Sequence, residues 1–506
     1  MLAKFEKIFN SNRVKCFLIF LGIYSFTFIL FMNRVYTSDH VYSSFSPTTV
    51  GEFKDYLSGG RFISYFIAIF YYILSLFGIN HIQNQWFLQS ILIFFLALAS
   101  AELYKMYAEE DESVLDYKLI ALLTLNFINP FFVEHFVYKG AELGVAIWIV
   151  TIAVQVFYKK KYIWAFILAF IATGIYQSYI ILFLIYATGV WFFRYNSNPH
   201  RKMVWDYCKI LLTAAAVAFC NIFIVKLSVK TGVIEGEIKK TELITNSDAG
   251  VIGGLLQKLQ NVMETGKTIM LSTWNMLPQK FFIGSILLFV LLVVFYMLIC
   301  HRKISNILLY LFTILIIHAY PFSIAMVMGS IYLPQRVIWP IFASCSIGLI
   351  IAYKCLKDSW AIKPYICIAV VFGVVVFFNT QNSILDLFIS NALDWYYAEA
   401  VQEEIREYEE ESGCEVTDVY AIHARDAKYC HYQLMHFDYT VTYNRKIQNQ
   451  IWSDVEWLNL VNDEDYIKHT IDNTCQDEYF KESTAEVFNA SEQLYFEGNN
   501  MYWLIY

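Results

Sequence analysis

Five residues between the first two long apolar runs have the types needed for group-transfer chemistry: Asp39, His40, Glu52, Asp55 and Arg61. A carboxylate can take a proton from an attacking hydroxyl. The planar donor fork of a guanidinium matches the oxygens of a phosphate. This spacing predicts an acid–base and phosphate-binding loop held at a membrane boundary.

Each of these residues also has a structural interpretation. Asp39 is the first candidate base, but a loop acid beside an apolar run also caps helices or is simply solvated. His40 could tune Asp39 or bind phosphate, although a single loop histidine usually does neither. Glu52 and Asp55 are three residues apart and share one face of a short interfacial helix, which makes them second candidates for the acid role.

Arginine and lysine residues at similar places provide the candidate cations. Arg61 follows two glycines at the start of an apolar run, and Arg336 in YLPQRVIWP has the same placement. Both could bind a lipid phosphate or serve only as membrane-interface anchors. Lys139 in EHFVYKGAE is a third candidate.

The composition indicates a polytopic membrane protein. The chain has 506 residues, of which 58% are hydrophobic and 16% are charged, whereas soluble domains have about a quarter charged residues. Several apolar runs reach the roughly 20 residues that a helix needs to cross the hydrocarbon core. The first run, at 14–33, predicts an uncleaved helix.

The last quarter of the chain differs in charge. Residues 382–506 contain 25 acidic and 7 basic residues and almost no long apolar run. They predict a separate aqueous domain of mixed α/β structure, which is too acidic to bind nucleic acid. Its aromatic residues either form its core or offer flat faces for sugars, and they include Trp395, Trp452, Trp457 and Trp503.

Positive charges predict the topology, because lysine and arginine concentrate in cytoplasmic loops. The basic clusters are Lys4, Lys7, Arg13 and Lys15; Lys159–Lys161; Arg194, Arg201 and Lys202; Arg302 and Lys303; and Lys354, Lys357 and Lys363. With these inside, the N-terminus is cytoplasmic, whereas loops 34–61 and 230–280 and the acidic domain lie outside. About eleven transmembrane helices result.

The crossings are assigned from the apolar runs. The assigned segments are a hairpin over 162–193 that turns near GIYQSY, and single crossings at 207–229, 281–300, 305–326, 335–353 and 364–381. An odd number of crossings must precede this hairpin after the loop 34–61, yet there are four candidates: 62–79, 85–107, 118–133 and 140–157. One of the four is therefore expected to be re-entrant or interfacial.

No cofactor or metal site is expected. Cys430, His431 and His436 in YCHYQLMH match no familiar zinc spacing, and metal dependence stays open. Two of Cys414, Cys430 and Cys475 could pair in an oxidising compartment. The chain has no P-loop or dinucleotide motif. Since the cytosolic loops are short, a sugar donor would have to arrive on a lipid.

Three segments in order carry a family resemblance. TSDHVYSS precedes SGGRFIS by about twenty residues, NFINPFFVEHFVYKGAELGVAI occupies 126–147, and ATGIYQSYI occupies 172–180. They resemble the acidic pair and Gly-Arg element, the Asn-Pro-aromatic run leading into Tyr-Arg-x-Asp, and the Tyr-Gln element of bacterial and phage O-antigen serotype-converting glucosyltransferases. The resemblance covers roughly residues 15–190.

The resemblance implies a membrane glucosyltransferase of GT-C type, with an all-α catalytic domain over 1–381. It implies transfer of glucose from undecaprenyl-phosphate glucose to O-antigen repeat units at the periplasmic face of the bacterial inner membrane. Asp39 matches the first acid of the family's pair and takes the role of catalytic base. Donor binding is assigned to His40, Arg61, Tyr138, Lys139, Tyr176, Gln177 and Arg336. The domain over 382–506 is expected to recognise the acceptor.

Two departures from the family pattern affect this assignment. His40 stands where a second acid is usual, and Ala141 stands where Tyr-Arg-x-Asp has its aspartate. Lys139 replaces the arginine of that motif. Glu142, one residue later, could replace the missing acid, as could an acid of the loop 230–280. The loop acids are Glu235, Glu237, Glu242 and Asp248.

Two other functions stay open, a lipid-linked sugar flippase or transporter and an O-antigen polymerase. Transporters often show internal repeats and mid-membrane ionisable residues. This sequence shows no repeat, and its ionisable residues gather at the predicted outer face, with His318 as an exception. The expected partners are the bilayer, a polyprenyl-phosphate sugar and the O-antigen acceptor.

Overall fold

The structure is a computed structural model that describes residues 12–32, 35–36, 50–79, 84–108, 114–137, 140–196, 201–233, 250–326, 333–424, 447, 453–471, 476–480 and 489–505. Contacts divide the chain into two units. Unit 1 comprises Met1–Ile29, Thr48–Phe77 and Phe87–Gln381. Unit 2 comprises Leu30–Pro47, Gly78–Trp86 and Asn382–Tyr506.

Apolar helices build unit 1. They are α1 (Asn12–Thr27), α2 (Val50–Ser58), α3 (Phe62–Leu76), α4 (Gln85–Tyr107), α5 (Tyr117–Thr124), α6 (Gly140–Tyr158), α7 (Tyr162–Ile175), α8 (Tyr179–Tyr195), α9 (Arg201–Lys230), α10 (Gly250–Ser272), α11 (Phe281–Ile299), α12 (Ile304–Ser323), α13 (Gln335–Ile338), α14 (Pro340–Leu356) and the first part of α15 (Ile362–Ser412). Short 3₁₀ turns stand at Ile29–Met32, Phe132–His135, Thr273–Asn275 and Ile324–Met326.

Seven helical segments among the described residues are long and apolar enough to cross a membrane. They are Gln85–Tyr107, Gly140–Tyr158, Arg201–Lys230, Phe281–Ile299, Ile304–Ser323, Gln335–Leu356 and Ile362–Ser412. The shorter apolar helices α3, α7 and α8 have 15, 14 and 17 residues. The chain is therefore built as a mostly helical membrane protein, and the number of eleven crossings stays a prediction.

One of the four candidate crossings before the hairpin does not form a continuous helix. Within 118–133, α5 stops at Thr124, and turns lead to the 3₁₀ turn at Phe132–His135. The amides of Asn126 and Asn129 donate to the carbonyls of Leu123 and Asn126. These bonds compete with helical ones, which is why such residues interrupt helices. Eight helical residues span only about 12 Å, which is too short for a crossing.

The predicted hairpin over 162–193 is present as α7 and α8. Helix α7 ends at Ile175, Tyr176 is extended, and α8 begins at Tyr179. Of the external loop predicted over 230–280, the second half contains the 23-residue helix α10.

In its described part, unit 2 contains a four-stranded sheet and the end of α15. The elements are β1 (Asp418–His423), α16 (Asp454–Asn462), β2 (Ile467–Thr470), α17 (Gln476–Tyr479), α18 (Ala490–Gln493), β3 (Leu494–Glu497) and β4 (Asn500–Ile505). The strand order is β2-β1-β4-β3, in which β1 pairs in parallel with β2 and β4, while β3 and β4 are antiparallel.

Tryptophans form the core of unit 2 rather than an exposed sugar-binding face. Trp457 and Trp503 are buried, and the Trp395 ring packs against Trp457 with centroids 5.2 Å apart. Trp452 lies outside the described residues. Cys414 has a free thiol, while Cys430 and Cys475 fall outside the described part, so the pairing of tail cysteines stays a prediction.

Candidate functional site

The first predicted candidates fall mostly outside the described residues. Asp39, His40, Tyr138 and Lys139 lie there, as do the acids Glu235, Glu237, Glu242 and Asp248 of the loop 230–280. Glu52 and Asp55 lie on α2, but their side chains are also outside the described part. Cys430, His431 and His436 are outside it as well. The described site is therefore built from the other predicted residues and their neighbours.

The Gly-Arg turn, residues Gly59–Arg61, contacts the Tyr-Gln element. The Gln177 amide donates to the Gly59 carbonyl at 2.5 Å, and the Asn221 amide donates to the Gly60 carbonyl at 2.9 Å. Gly60 has a φ of +66°, and a Cβ there would lie 2.6 Å from the Asn221 Oδ1. Only glycine fits such a position without strain. Two separate sequence motifs thus meet in one place.

The helices that carry this turn are tightly packed. A Cβ on Gly174 of α7 would lie 2.7 Å from the Ile63 Cγ1 of α3. The Ser64 hydroxyl donates to the Ile175 carbonyl at 3.0 Å. This packing fixes the Gly-Arg turn against Tyr176 and Gln177.

Arg61 is half-buried at the end of the turn. Its backbone N–H donates to the Tyr56 carbonyl at 2.8 Å, and its guanidinium carbon lies 5.9 Å from the centroid of the Tyr56 ring. A cation over an aromatic face is attracted by the ring quadrupole. The arginine is therefore tied to α2, the helix that bears Glu52 and Asp55.

Arg336 forms an ion pair with Glu134, a residue that the sequence reasoning missed. The Arg336 backbone N–H donates to the Glu134 Oε2 at 2.7 Å, and its guanidinium Nη1 contacts the Glu134 Oε1. The Glu134 side chain is fully buried, and that of Arg336 is 14% exposed. A lone carboxylate inside the apolar run NPFFVEHF was the available signal, because such residues are normally paired.

Glu142, the predicted substitute acid, lies in the first turn of α6 and is buried. Tyr176, another predicted donor-binding residue, has its ring centroid 5.6 Å from that of Tyr179. The structure therefore places Tyr176 beside Tyr179, while Glu142 is buried at the start of α6.

Four buried residues form a polar cluster beside the Glu134–Arg336 pair: His135, Tyr179, Gln335 and Trp339. The His135 ring centroid lies 5.3 Å from that of Trp339 and 6.4 Å from that of Tyr179. The backbone N–H of Trp339 donates to the Gln335 carbonyl at 2.8 Å. The cluster gathers the 3₁₀ turn at Phe132–His135 and the first turns of α8, α13 and α14.

Polar atoms of this cluster make no hydrogen bond with any part of the chain that the structure describes. They are the His135 Nε2, the Tyr179 hydroxyl, both side-chain amide atoms of Gln335 and the Trp339 Nε1. Leaving one such group unsatisfied costs about 1–3 kcal/mol. Native proteins rarely tolerate several together without water, an ion or a ligand. Sequence reasoning had singled out none of the four.

No group of histidine, cysteine, aspartate and glutamate side chains suited to a metal ion occurs among the described residues. Neutral hydrogen-bonding groups and aromatic rings make up the polar cluster, with one ion pair beside it. Such a site suits a hydroxyl-rich ligand.

Comparison with known protein families gives one match. The family model described as glucosyl transferase GtrII matches residues 28–353, well over half of the chain. No curated protein and no solved structure matches. The chain therefore belongs to the GtrII glucosyl transferase family, the serotype-converting glucosyltransferases. The family resemblance is confirmed; the match begins at residue 28 and continues beyond residue 190 to residue 353.

Proposed function

We propose that this GtrII family member transfers glucose from undecaprenyl-phosphate glucose to O-antigen repeat units at the periplasmic face of the bacterial inner membrane. The family match supports glucosyl transfer. The donor, the acceptor and the side of the membrane are parts of the proposal. The predicted topology, with the N-terminus in the cytoplasm and residues 382–506 in the periplasm, belongs to it as well.

The observation that carries the proposal is the meeting of family motifs around a buried polar site. The Gly-Arg turn is held by Gln177, and the neighbouring Tyr176 packs on Tyr179 of the polar cluster. A polyprenyl-phosphate sugar keeps its tail in the bilayer and its sugar at the interface. Its phosphate and sugar therefore need a cation and a hydroxyl-binding site next to each other at a membrane boundary.

The proposed reaction is a single displacement. The acceptor hydroxyl attacks the anomeric carbon as the bond to the phosphate oxygen breaks, and Asp39 takes the hydroxyl proton. Arg61 and Lys139 stabilise the phosphate that departs with the lipid. Attack from the opposite face converts a β-linked donor into an α-glucoside.

Arg336 has a different place in this scheme from Arg61. Its ion pair with the buried Glu134 fixes the guanidinium beside the polar cluster. An arginine held this way needs no reorganisation when negative charge develops on the departing phosphate. We assign it to the leaving-group side of the site together with Arg61 and Lys139.

The alternative functions are less well supported. A flippase would need alternating access to a mid-membrane site, whereas the described polar groups gather where the ends of several helices meet. An O-antigen polymerase would use the same face and lipid-linked sugars, but it would not accept a single glucose on a lipid. The acidic segment 382–506 is assigned to acceptor recognition.

The test is glucose transfer in membranes from polyprenyl-phosphate glucose to O-antigen, for the parent and for Asp39→Asn at matched protein levels. The amide keeps the shape of the side chain and removes the proton acceptor. We expect transfer to fall by a hundredfold or more while the donor still binds. Transfer near the parent level would move the base to Glu52, Asp55 or Glu142.

The parent protein tests the reaction class in the same assay. Lipid–sugar flipping without any transfer by the parent would overturn the glucosyl transfer proposal. Transfer of whole O-antigen chains in place of single glucose units would favour the polymerase.

A further inference from the structure

The polar cluster has a hydrogen-bonding capacity that the described chain does not use. His135, Tyr179, Gln335 and Trp339 are each fully buried, and their side-chain polar atoms lack partners among the described residues. Together they offer an indole N–H donor, an amide with donor and acceptor, an imidazole nitrogen and a phenol hydroxyl. Groups of both kinds in one place match a ligand whose own groups both donate and accept.

We propose that the polar cluster binds the glucose ring of the lipid-linked donor. This inference rests on the proposed function and names the part of the site that holds the sugar. Each hydroxyl of a hexose both donates and accepts a hydrogen bond, as the cluster requires.

The charges beside the cluster favour a neutral ligand. Glu134 directly precedes His135, and its carboxylate is paired with Arg336, which directly follows Gln335. This ion pair contributes no net charge where the four side chains meet. The four side chains themselves carry no net charge, so they suit an uncharged sugar, which needs hydrogen bonds rather than a counter-ion.

The position of the cluster suits the donor sugar better than the acceptor. Tyr179 packs on Tyr176, which precedes Gln177, and Gln177 holds the Gly-Arg turn. The glucose would therefore lie beside the turn whose Arg61 binds the phosphate. A single sugar on a lipid can enter a site enclosed by helices, whereas a polysaccharide approaches from the aqueous side.

The test compares the affinity of the sugar with that of the lipid phosphate. Transfer kinetics are measured with polyprenyl-phosphate glucose, and inhibition is measured with polyprenyl phosphate that lacks the sugar. The variants are Tyr179→Phe, which removes one hydroxyl, and Gln335→Met, which keeps the length of the side chain. We expect each to raise the KM for the donor about tenfold and to leave the inhibition constant of the sugar-free lipid unchanged.

Tyr310→Phe is the matched control. The Tyr310 hydroxyl is also buried and has no partner among the described residues. Its ring, however, packs against Phe192, with centroids 6.3 Å apart, and Tyr310 is not part of the polar cluster. We expect this variant to keep the KM of the parent. Thermal unfolding of each purified variant in detergent verifies that the variant is folded. If Gln335→Met does not fold, Trp339→Phe takes its place.

Three results would overturn the inference while the parent remains active. They are an unchanged donor KM in the folded cluster variants, the same rise in KM in Tyr310→Phe, or an equal loss of affinity for the sugar-free lipid. The first two would mean that water or a structural role explains the cluster. A parent that transfers no glucose at all would instead overturn the proposed function.

Discussion

Two buried glutamates of unit 1 are each paired with an arginine, yet their surroundings differ. Glu102 is paired with Arg13 at the start of α1, and it also accepts a hydrogen bond from the Gln155 amide. Glu134 is paired with Arg336, and the next residue, His135, belongs to the polar cluster. The two ion pairs lie near opposite ends of α1, because Phe28, just beyond this helix, packs against Phe136 with centroids 4.2 Å apart.

The exposure of the two arginines separates their roles. The Arg13 side chain is 60% exposed, whereas that of Arg336 is 14% exposed. Water reaches the first pair and weakens it, as in surface salt bridges. The second pair is enclosed and lies beside buried polar groups that have no hydrogen-bond partner among the described residues. We infer that the Arg13–Glu102 pair anchors helix α1. The Glu134–Arg336 pair instead holds the guanidinium in position to bind the substrate.

The largest expected effect that separates the two pairs comes from Arg336→Ala. Loss of the arginine leaves the Glu134 carboxylate buried without its charged partner, which typically costs about 3–5 kcal/mol. We expect glucose transfer to fall by a hundredfold or more and the unfolding temperature in detergent to fall by several degrees. The measurements are transfer in membranes and thermal unfolding.

The double variant Glu134→Gln with Arg336→Ala separates stability from function. Removing the buried charge should restore much of the unfolding temperature, while transfer stays low because the guanidinium is missing. Recovery of transfer in the double variant would contradict a direct role for Arg336 and leave only a structural one.

The next largest effect is expected from a substitution in the Gly-Arg turn. Gly60→Ala places a methyl group against the side chains of Gln177 and Asn221, which we expect to displace the Gly-Arg turn and to reduce transfer about tenfold. Gly78→Ala is the matched control, because Gly78 also has a positive φ, of +75°, but no atom of the described residues lies within 4 Å of its added Cβ. Equal transfer by the two variants would show that the close packing at Gly60 is unimportant.

Arg13→Ala tests the Arg13–Glu102 ion pair and should have a smaller effect. Because water already reaches this arginine and the Gln155 amide still donates to Glu102, we expect a smaller loss of stability than in Arg336→Ala and transfer like that of the parent. Thermal unfolding and transfer are measured beside Arg336→Ala. Equal effects of the two substitutions would remove the distinction between an anchoring and a functional ion pair.

The smallest effect is expected at Asp418, a partly exposed carboxylate of unit 2. Asp418 accepts hydrogen bonds from Thr417 and from His469, each at 2.6 Å, and these hold its pKa below the ordinary value of 3.8. Since the folded pKa is depressed, the stabilisation is present above pH 3.8 and is lost as the pH falls through the folded pKa. Unfolding temperatures of Asp418→Asn should therefore fall less than those of the parent below about pH 4.

The helices could be predicted from the sequence, but the ion pairs and hydrogen bonds between them could not. Apolar runs identify α4 and α6 closely, because about twenty apolar residues admit few alternatives. The break after Thr124 was harder to predict, since it depends on where the Asn126 and Asn129 amides find acceptors. The re-entrant candidate was predicted only as one of four segments.

Half of the described site escaped the sequence analysis for a similar reason. Tyr176 and Gln177 were found because they lie in a family motif, and Arg61 and Arg336 because each lies at the start of an apolar run. Glu134 and Arg336 are 202 residues apart, so no local spacing connects them. The polar cluster is visible only when burial is known, because His135 and Trp339 look like ordinary residues of an apolar run.

The interrupted segment after α5 has a consequence for the order in which the protein assembles during synthesis. The Asn126 amide donates to the Ser346 hydroxyl at 2.8 Å, and that hydroxyl donates to the Leu122 carbonyl at 2.7 Å. Helix α14, which supplies Ser346, is made more than 200 residues later, or about 10–40 s at ordinary rates of translation. During that interval the Leu122 carbonyl and the Asn126 amide lack this partner, although polar groups inside a membrane need one. Completion of the site therefore waits for α14.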